Sequence, residues 1–276
     1  MQPTAEQPPP TRRMSLPGGG RPAAASSPVR VKGSGSQTLR AQLMLRELVL
    51  GGELEPGTRI AELTLVSRIG ASRTPIRMAL VQLQQEGLLE VLPAGGYAVK
   101  AFSESDVYDA IELRGTLEGL AARMAAERGV AGALWVEICD CMARIDDLLA
   151  QPELTEACFA GYVEQNARFH AALAAMAASE LVEQQIRRAC TLPFASPNAF
   201  VLQRCSGPQA RDVLVVAQSQ HRTLLDAIRC REGSRAEGIA REHARIAQHN
   251  LGEVLQSQLA LKQMPGAALI RRTKRR

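Results

Sequence analysis

The chain has 276 residues, 46% of them apolar and 3% aromatic, which is enough for two domains with real cores. It has no run of about 18 apolar residues, which excludes a helix crossing a membrane. The net charge of +5 is unevenly spread: residues 1–36 carry +4, residues 37–100 carry +1, residues 101–261 carry −6 and residues 262–276 carry +6. The basic balance therefore sits at the two ends and the body is acidic. No apolar segment of signal type opens the chain, and its six cysteines form no Cys-x-x-Cys pair. These features predict a cytoplasmic protein with free thiols rather than a disulfide scaffold.

In chain order, residues 1–36 are rich in Pro, Gly, Ser and Ala and predict a disordered tail; Met14 is an alternative start to Met1. Residues 37–50 place Leu39, Leu43 and Leu50, with Met44 and Leu48, on a helical stripe, and Gly51-Gly52 ends it. A short helix follows over Ala61–Ile69 and stops at Gly70. Ser72 is placed to cap the next helix, and Pro75 suits its first turn. That helix runs to about Glu86. Leu88–Leu92 and Tyr97–Ala101 flank "PAGG" and predict a hairpin. From Glu104 only helical periods remain, at 104–128, 131–149, 153–176, 179–190, 208–230 and 234–261, with a long connection over 191–207. The expected fold is mainly α. A winged helix-turn-helix with a small β-hairpin wing occupies 37–102, an all-α bundle of about six helices occupies 103–261, and a basic disordered tail occupies 262–276.

Two helices, a tight turn and a glycine hairpin predict a head of the kind that reads DNA. Arg73 and Arg77 lie four residues apart near the start of the second helix, on one face. Guanidinium groups so placed can fork to guanine edges or phosphates in a major groove. The Ser72 and Thr74 hydroxyls suit phosphate oxygens. Gly95 and Gly96 let a wing tip approach the minor groove without a Cβ. Arg59 and Arg46 are weaker candidates for backbone contacts. Solvated helix charge is the bland alternative for each arginine alone; the turn, cap and wing in register argue against it.

Three segments carry a resemblance: "VLGGELEPGTRIAE" (49–62), "IGASRTPIRMALVQLQQEGLLE" (69–90) and "GGYAVKAFSESDV" (95–107). Together they resemble the GntR family of bacterial regulators, departing at Val66, where relatives carry alanine. "DVYDAIELRGTLEGLAARMAAE" (106–127) resembles the first helix of the FCD domain of the FadR-like branch, through Arg114, Leu117 and Glu118. The resemblance implies a DNA-binding regulator, acting as a repressor, located in the cytoplasm at the nucleoid. It would bind a pseudo-palindromic double-stranded operator as a homodimer.

The second domain also carries a candidate metal site. Asn166 and His170 share a helix face at i and i+4. His221 and His243 each lie 11 positions from a turn near residue 232, so an antiparallel helix pair would set them level. Three imidazoles and one oxygen donor suit a divalent ion such as Zn, Ni or Mn. The resemblance implies such a site with an Asp at the first position. Here Asn166 replaces it, leaving a more positive site suited to an anion. His249 falls on another side of the helix.

A small carboxylate effector would complete the metal's open positions, with Arg114 or Arg168 as an added cation; Glu118, four residues on, competes for Arg114 on the helix surface. Two alternatives stand beside this reading: a regulator for which the ion is itself the signal, and a metal-dependent hydrolase, for which no general base is evident.

Overall fold

The computed structural model describes residues 34–192, 194–199, 210–256 and 266–271. The fold is mostly helical. Helix α1 (Ser34–Leu50), α2 (Glu62–Ile69) and α3 (Arg73–Gln85) precede a hairpin of β1 (Leu89–Val91) and β2 (Tyr97–Val99). Strand β3 (Phe102–Ser103) leads into α4 (Glu104–Arg128), α5 (Gly132–Leu149), α6 (Glu156–Met176), α7 (Glu180–Ala189), α8 (Ala210–Arg229) and α9 (Gly233–Gln256). A 3-10 turn (Ala267–Leu269) and β4 (Ile270–Arg271) follow. Among the described residues no helix is long and apolar enough to cross a membrane.

The hairpin is antiparallel, with Leu89 opposite Val99 and Val91 opposite Tyr97. Arg59 bridges to Ala98 as a short third strand. Apolar residues at helical spacing, Ala41, Leu45 and Val49 of α1 with Ile76, Leu80 and Leu83 of α3, are buried together with Leu89 and Val99. Helix α4 begins where the sequence places it because Ser103 and Asp106 form a capping box: the Ser103 amide donates to Asp106 Oδ2 at 2.7 Å, and the Asp106 amide to Ser103 Oγ at 3.1 Å.

In the bundle, α4 lies against α9 at very close range. A Cβ added at Gly115 would stand 2.6 Å from the Ala244 Cβ, so only glycine permits this approach. The crossing brings Arg114 and Glu118 of α4 to the level of His243 on α9. A second core of Ala122, Ala126, Ile138, Phe169, Leu173, Leu224 and Ile228 joins α4, α5, α6 and α8.

Three features differ from the sequence reading. The first helix begins at Ser34, three residues before the expected boundary. Within the connection after α7, Phe194 is buried in the head's core and meets Phe102 edge-on at 4.9 Å. The C-terminal segment, expected to fray, also packs: β4 pairs in parallel with β3, and Leu269 and Ile270 join the head's core. Two adjacent large apolar residues outweigh the basic composition around them. The N-terminal tail reading, up to residue 33, lies outside the described residues.

Candidate nucleic-acid face and buried histidine centre

Helix α3 buries Pro75, Ile76, Ala79, Leu80 and Leu83 and leaves Ser72, Arg73, Thr74 and Arg77 exposed. Ser72 stands at the N-cap position with extended backbone, but its hydroxyl makes no cap hydrogen bond. Arg77 Nε donates to Glu62 Oε2 at 2.8 Å; this bond and Glu62's charge raise the guanidinium pKa above its ordinary value. The pair is solvent-facing, so it holds Arg77 only weakly.

At the wing tip, Gly95 and Gly96 adopt φ of +82° and +86°. Arg59 reaches the Gly95 carbonyl at 3.3 Å, which places a cation at the wing. Arg46 is used differently, as an internal tie to Glu86 at 2.5 Å, beside Gln42 at 2.7 Å.

About a hundred residues on, the sequence-selected residues of the second domain split into two groups. His170, His221 and His243 converge, with one ligand atom from each lying within 4.8 Å of the others. Each ring is oriented by a partner on Nδ1: Glu118 Oε1 for His170 at 2.9 Å, Gln218 Oε1 for His221 at 3.1 Å, and Gln220 Oε1 for His243 at 3.1 Å. The Gln218 amide is itself fixed, because its Nε2 donates to the Met142 carbonyl and to Asp146 Oδ1. Glu118 and the anchored Gln218 amide place the His170 and His221 protons on Nδ1 and leave their Nε2 atoms with lone pairs.

The Nε2 atoms of His221 and His243 face each other at 3.0 Å. At that distance either a proton on His243 Nε2 or a cation held by both rings joins them. The His170 Nε2 and the Asn166 Oδ1 are buried without a hydrogen-bond partner. Asn166 is held with its oxygen turned away from its neighbour. Its Nδ2 donates to Asn198 Oδ1 at 2.8 Å, and Asn198 in turn donates to the Val163 carbonyl. Oriented imidazoles with outer partners on Nδ1 are the arrangement a bound divalent ion requires. The residues present fit such an ion: His170, His221 and His243 would hold it, with Asn166 as a neutral oxygen donor.

Burial pushes His221 well below the ordinary histidine range, and the neighbouring imidazoles add to this. Burial likewise lowers His243 to about 3, helped by His170 and Arg114 and opposed by Glu118. The folded His243 thus binds fewer protons than the unfolded chain between pH 6.5 and pH 3. Its contribution to stability is present above pH 6.5 and is lost as pH falls toward 3. Urea midpoints of metal-free protein are expected to start falling near pH 6.5, above the range where ordinary carboxylates titrate. His243→Gln should flatten the fall; an unchanged slope would contradict the assignment.

Arg114 is not paired at the helix surface as expected. It is 2% exposed, with Nε 3.9 Å from Glu118 Oε2, and its Nε and Nη1 lack hydrogen-bond partners. Burial alone would raise the Glu118 carboxyl, but His170 and Arg114 outweigh it and hold it near 2. Arg114, Glu118 and His170 form one buried chain leading to the three imidazoles. Arg168 is engaged elsewhere: its guanidinium meets Gln165 Oε1 at 3.0 Å and faces Asp140 and Glu137 on α5. The orienting roles of Glu118, Gln218, Gln220 and Asn198 were missed by sequence reasoning. Of these, only Gln218, one turn before His221, carried a local signal.

Residues 37–99 match the family described as bacterial regulatory proteins, gntR family, and residues 109–245 match the FCD domain. Among curated relatives, an uncharacterized HTH-type regulator from an unstable DNA locus of Streptomyces ambofaciens is 41% identical over 30% of this chain and 37% of its own length. The HTH-type transcriptional repressor GlaR of Escherichia coli is 27% identical over 72% of this chain and 88% of its own. A solved structure of Lar, described as controlling expression of the Listeria monocytogenes agr system, superposes with a TM-score of 0.58. It has 15% identity, covering 79% of this chain and 97% of that one, a likeness of fold.

Proposed function

The chain belongs to the GntR family of bacterial transcriptional regulators and carries an FCD domain, and on that premise we propose a repressor whose grip on its operator is set by a small carboxylate bound at a metal-containing pocket. DNA reading by α3 and the wing would use Arg73 and Arg77, with Ser72, Thr74, Gly95 and Gly96 at the backbone. Two copies of the head, related by a twofold axis, would match a pseudo-palindromic double-stranded operator. The repressor name borne by GlaR supports the sign of regulation. Family membership removes the hydrolase reading, since these proteins are transcriptional regulators and not enzymes.

The observation that carries the pocket is the convergence of three buried or half-buried imidazoles beside a buried, under-partnered arginine. A divalent ion there supplies Lewis-acid positions for a carboxylate oxygen. Arg114 offers a buried cation whose Nε and Nη1 lack hydrogen-bond partners, a charge complement for a carboxylate. Asn166, in place of an aspartate, leaves the site one negative charge short, which favours an anionic guest. Arg168, committed to α5, is left out.

Isothermal titration of metal-loaded protein with a panel of small mono-, di- and hydroxycarboxylates tests this. At least one acid should bind the parent protein, and its affinity should drop tenfold or more in Arg114→Met and vanish in His170→Ala. Equal binding by both variants, or binding by no acid, would remove the pocket reading. A second reading, in which the ion is the signal, rests on the same imidazoles. Operator affinity that responds to chelator with no acid present would favour it.

A further inference from the structure

The stretch after α7 ties the histidine centre to the head. Asn198 lies at the pocket end. Its Nδ2 donates to the Val163 carbonyl at 2.9 Å, and its Oδ1 accepts from Asn166 Nδ2 at 2.8 Å. A backbone carbonyl can only accept, so Val163 fixes which way the Asn198 amide faces. Asn198 in turn fixes Asn166, whose Oδ1 is left buried and without a hydrogen-bond partner. The orientation of the candidate oxygen donor is thus set from outside α6.

Phe194 lies at the other end, four residues earlier. It is fully buried in the head's core, together with Ala195 and Ala199. Its ring meets Phe102 of β3 edge-on at 4.9 Å. Between these ends the backbone closes on itself: the Asn198 amide donates to Ser196 Oγ at 3.3 Å, and the Ala199 amide to the Ser196 carbonyl at 3.0 Å. A short turn packed in this way transmits a shift at Asn198 rather than absorbing it.

The residues at the end of α7 touch the reading helix. The Thr191 hydroxyl stands 2.8 Å from the Arg188 carbonyl and 2.9 Å from the Glu86 carbonyl, and Glu86 is the C-cap of α3. A Cβ at Gly87 would stand 3.5 Å from Leu192 Cδ2. Contacts from this stretch therefore reach the end of α3, the strand that leads into α4, and the amide one turn before His170.

We propose that Asn198 is a positioning residue for the histidine centre and that residues 194–199 carry the state of that centre to the head. This rests on the metal-pocket reading above. When Asn166 and the imidazoles hold an ion, the Asn166 side chain is fixed. Its bond to Asn198 passes the restraint to the turn, and the turn passes it to Phe194 and Phe102. The competing path runs along α4 into β3. It also ends at Phe102, but it does not involve Asn198.

The test uses the full chain, with Zn²⁺ alone as the probe. Calorimetry reads ion affinity, and mass spectrometry reads backbone amide exchange with and without saturating Zn²⁺. In the parent protein Zn²⁺ should slow exchange around His170, His221 and His243. It should also slow peptides covering residues 194–199 and Phe102–Ser103 at least fivefold, the lower end of ordinary coupling. Asn198→Ala should weaken ion binding about tenfold, as loss of an outer partner does. At saturating Zn²⁺ it should keep the slowing at the histidines and lose it at Phe102–Ser103. Phe194→Leu should leave ion affinity within about twofold and also lose the slowing at Phe102–Ser103, a separation that general destabilisation does not produce. Slowing at Phe102–Ser103 that survives in Asn198→Ala assigns the path to α4 and overturns the link. Slowing confined to the histidine helices in the parent overturns it as well, whichever variants fold. Unchanged ion affinity in Asn198→Ala overturns the positioning role. Failure of the parent to bind Zn²⁺ would instead overturn the metal-pocket reading.

Discussion

Metal-free protein is expected to gain about 5 to 10 °C in Tm when a divalent ion such as Zn, Ni or Mn is present at about a hundred times its Kd. Ligand at that excess contributes about 2.7 kcal/mol, and 1 kcal/mol moves a domain of this size by about 2–4 °C. The gain comes from replacing the 3.0 Å contact between His221 and His243 Nε2 with shared coordination, and from giving His170 Nε2 the partner it lacks. His221→Ala should erase the gain. Asn166→Asp should raise the affinity for the ion at least tenfold, because an anionic oxygen replaces a neutral one in a buried site. The second variant separates a metal site from a network of hydrogen-bonding histidines, which a new buried carboxylate would disturb rather than improve. If no ion shifts the parent protein, or if Asn166→Asp binds no better, the centre is not a metal site.

Replacing Arg73 and Arg77 together by alanine should cost operator affinity by a factor of about 30 to 25,000, with Tm unchanged. Each bidentate arginine contact discriminates by about 1–3 kcal/mol. Both side chains point to solvent, so folding does not depend on them. The Arg77–Glu62 pair is a solvent-facing ion pair, and a phosphate or guanine can displace Glu62 at small cost. Glu62→Gln should therefore strengthen binding slightly by freeing Arg77. In vitro selection from random DNA, followed by anisotropy with the selected duplex, reads both effects. Selection by the double-alanine variant of the same operator at the same affinity would remove α3 as the reader.

Much of this was legible in the sequence because local signals and tertiary structure agree. The Ser103–Asp106 box fixed the start of α4 at Glu104, and the glycines closed α2 and the wing where the pattern placed them. His221 and His243 met because equal distance from a turn becomes a contact in an antiparallel helix pair. Tertiary packing decided what local pattern could not. Arg114 and Glu118 have the spacing of a surface ion pair, and only the close crossing of α4 on α9 at Gly115 buries them. Leu269 and Ile270 stand in a segment that reads as charged tail, and Gly52, more than two hundred residues earlier, leaves room for the neighbouring Ala268. Ser72 sits at its expected N-cap position but leaves its hydroxyl unused by the helix.

The account's central claim is that occupancy of the pocket sets the affinity of α3 and the wing for DNA. The direct measurement is anisotropy of the selected operator with metal-loaded protein, with and without a saturating concentration of the carboxylate that calorimetry identifies. The account predicts a change of at least fivefold in operator affinity, the lower end of ordinary allosteric coupling. Arg114→Met should abolish this change while still binding the operator. Identical operator affinity with and without a carboxylate that demonstrably occupies the pocket would contradict it.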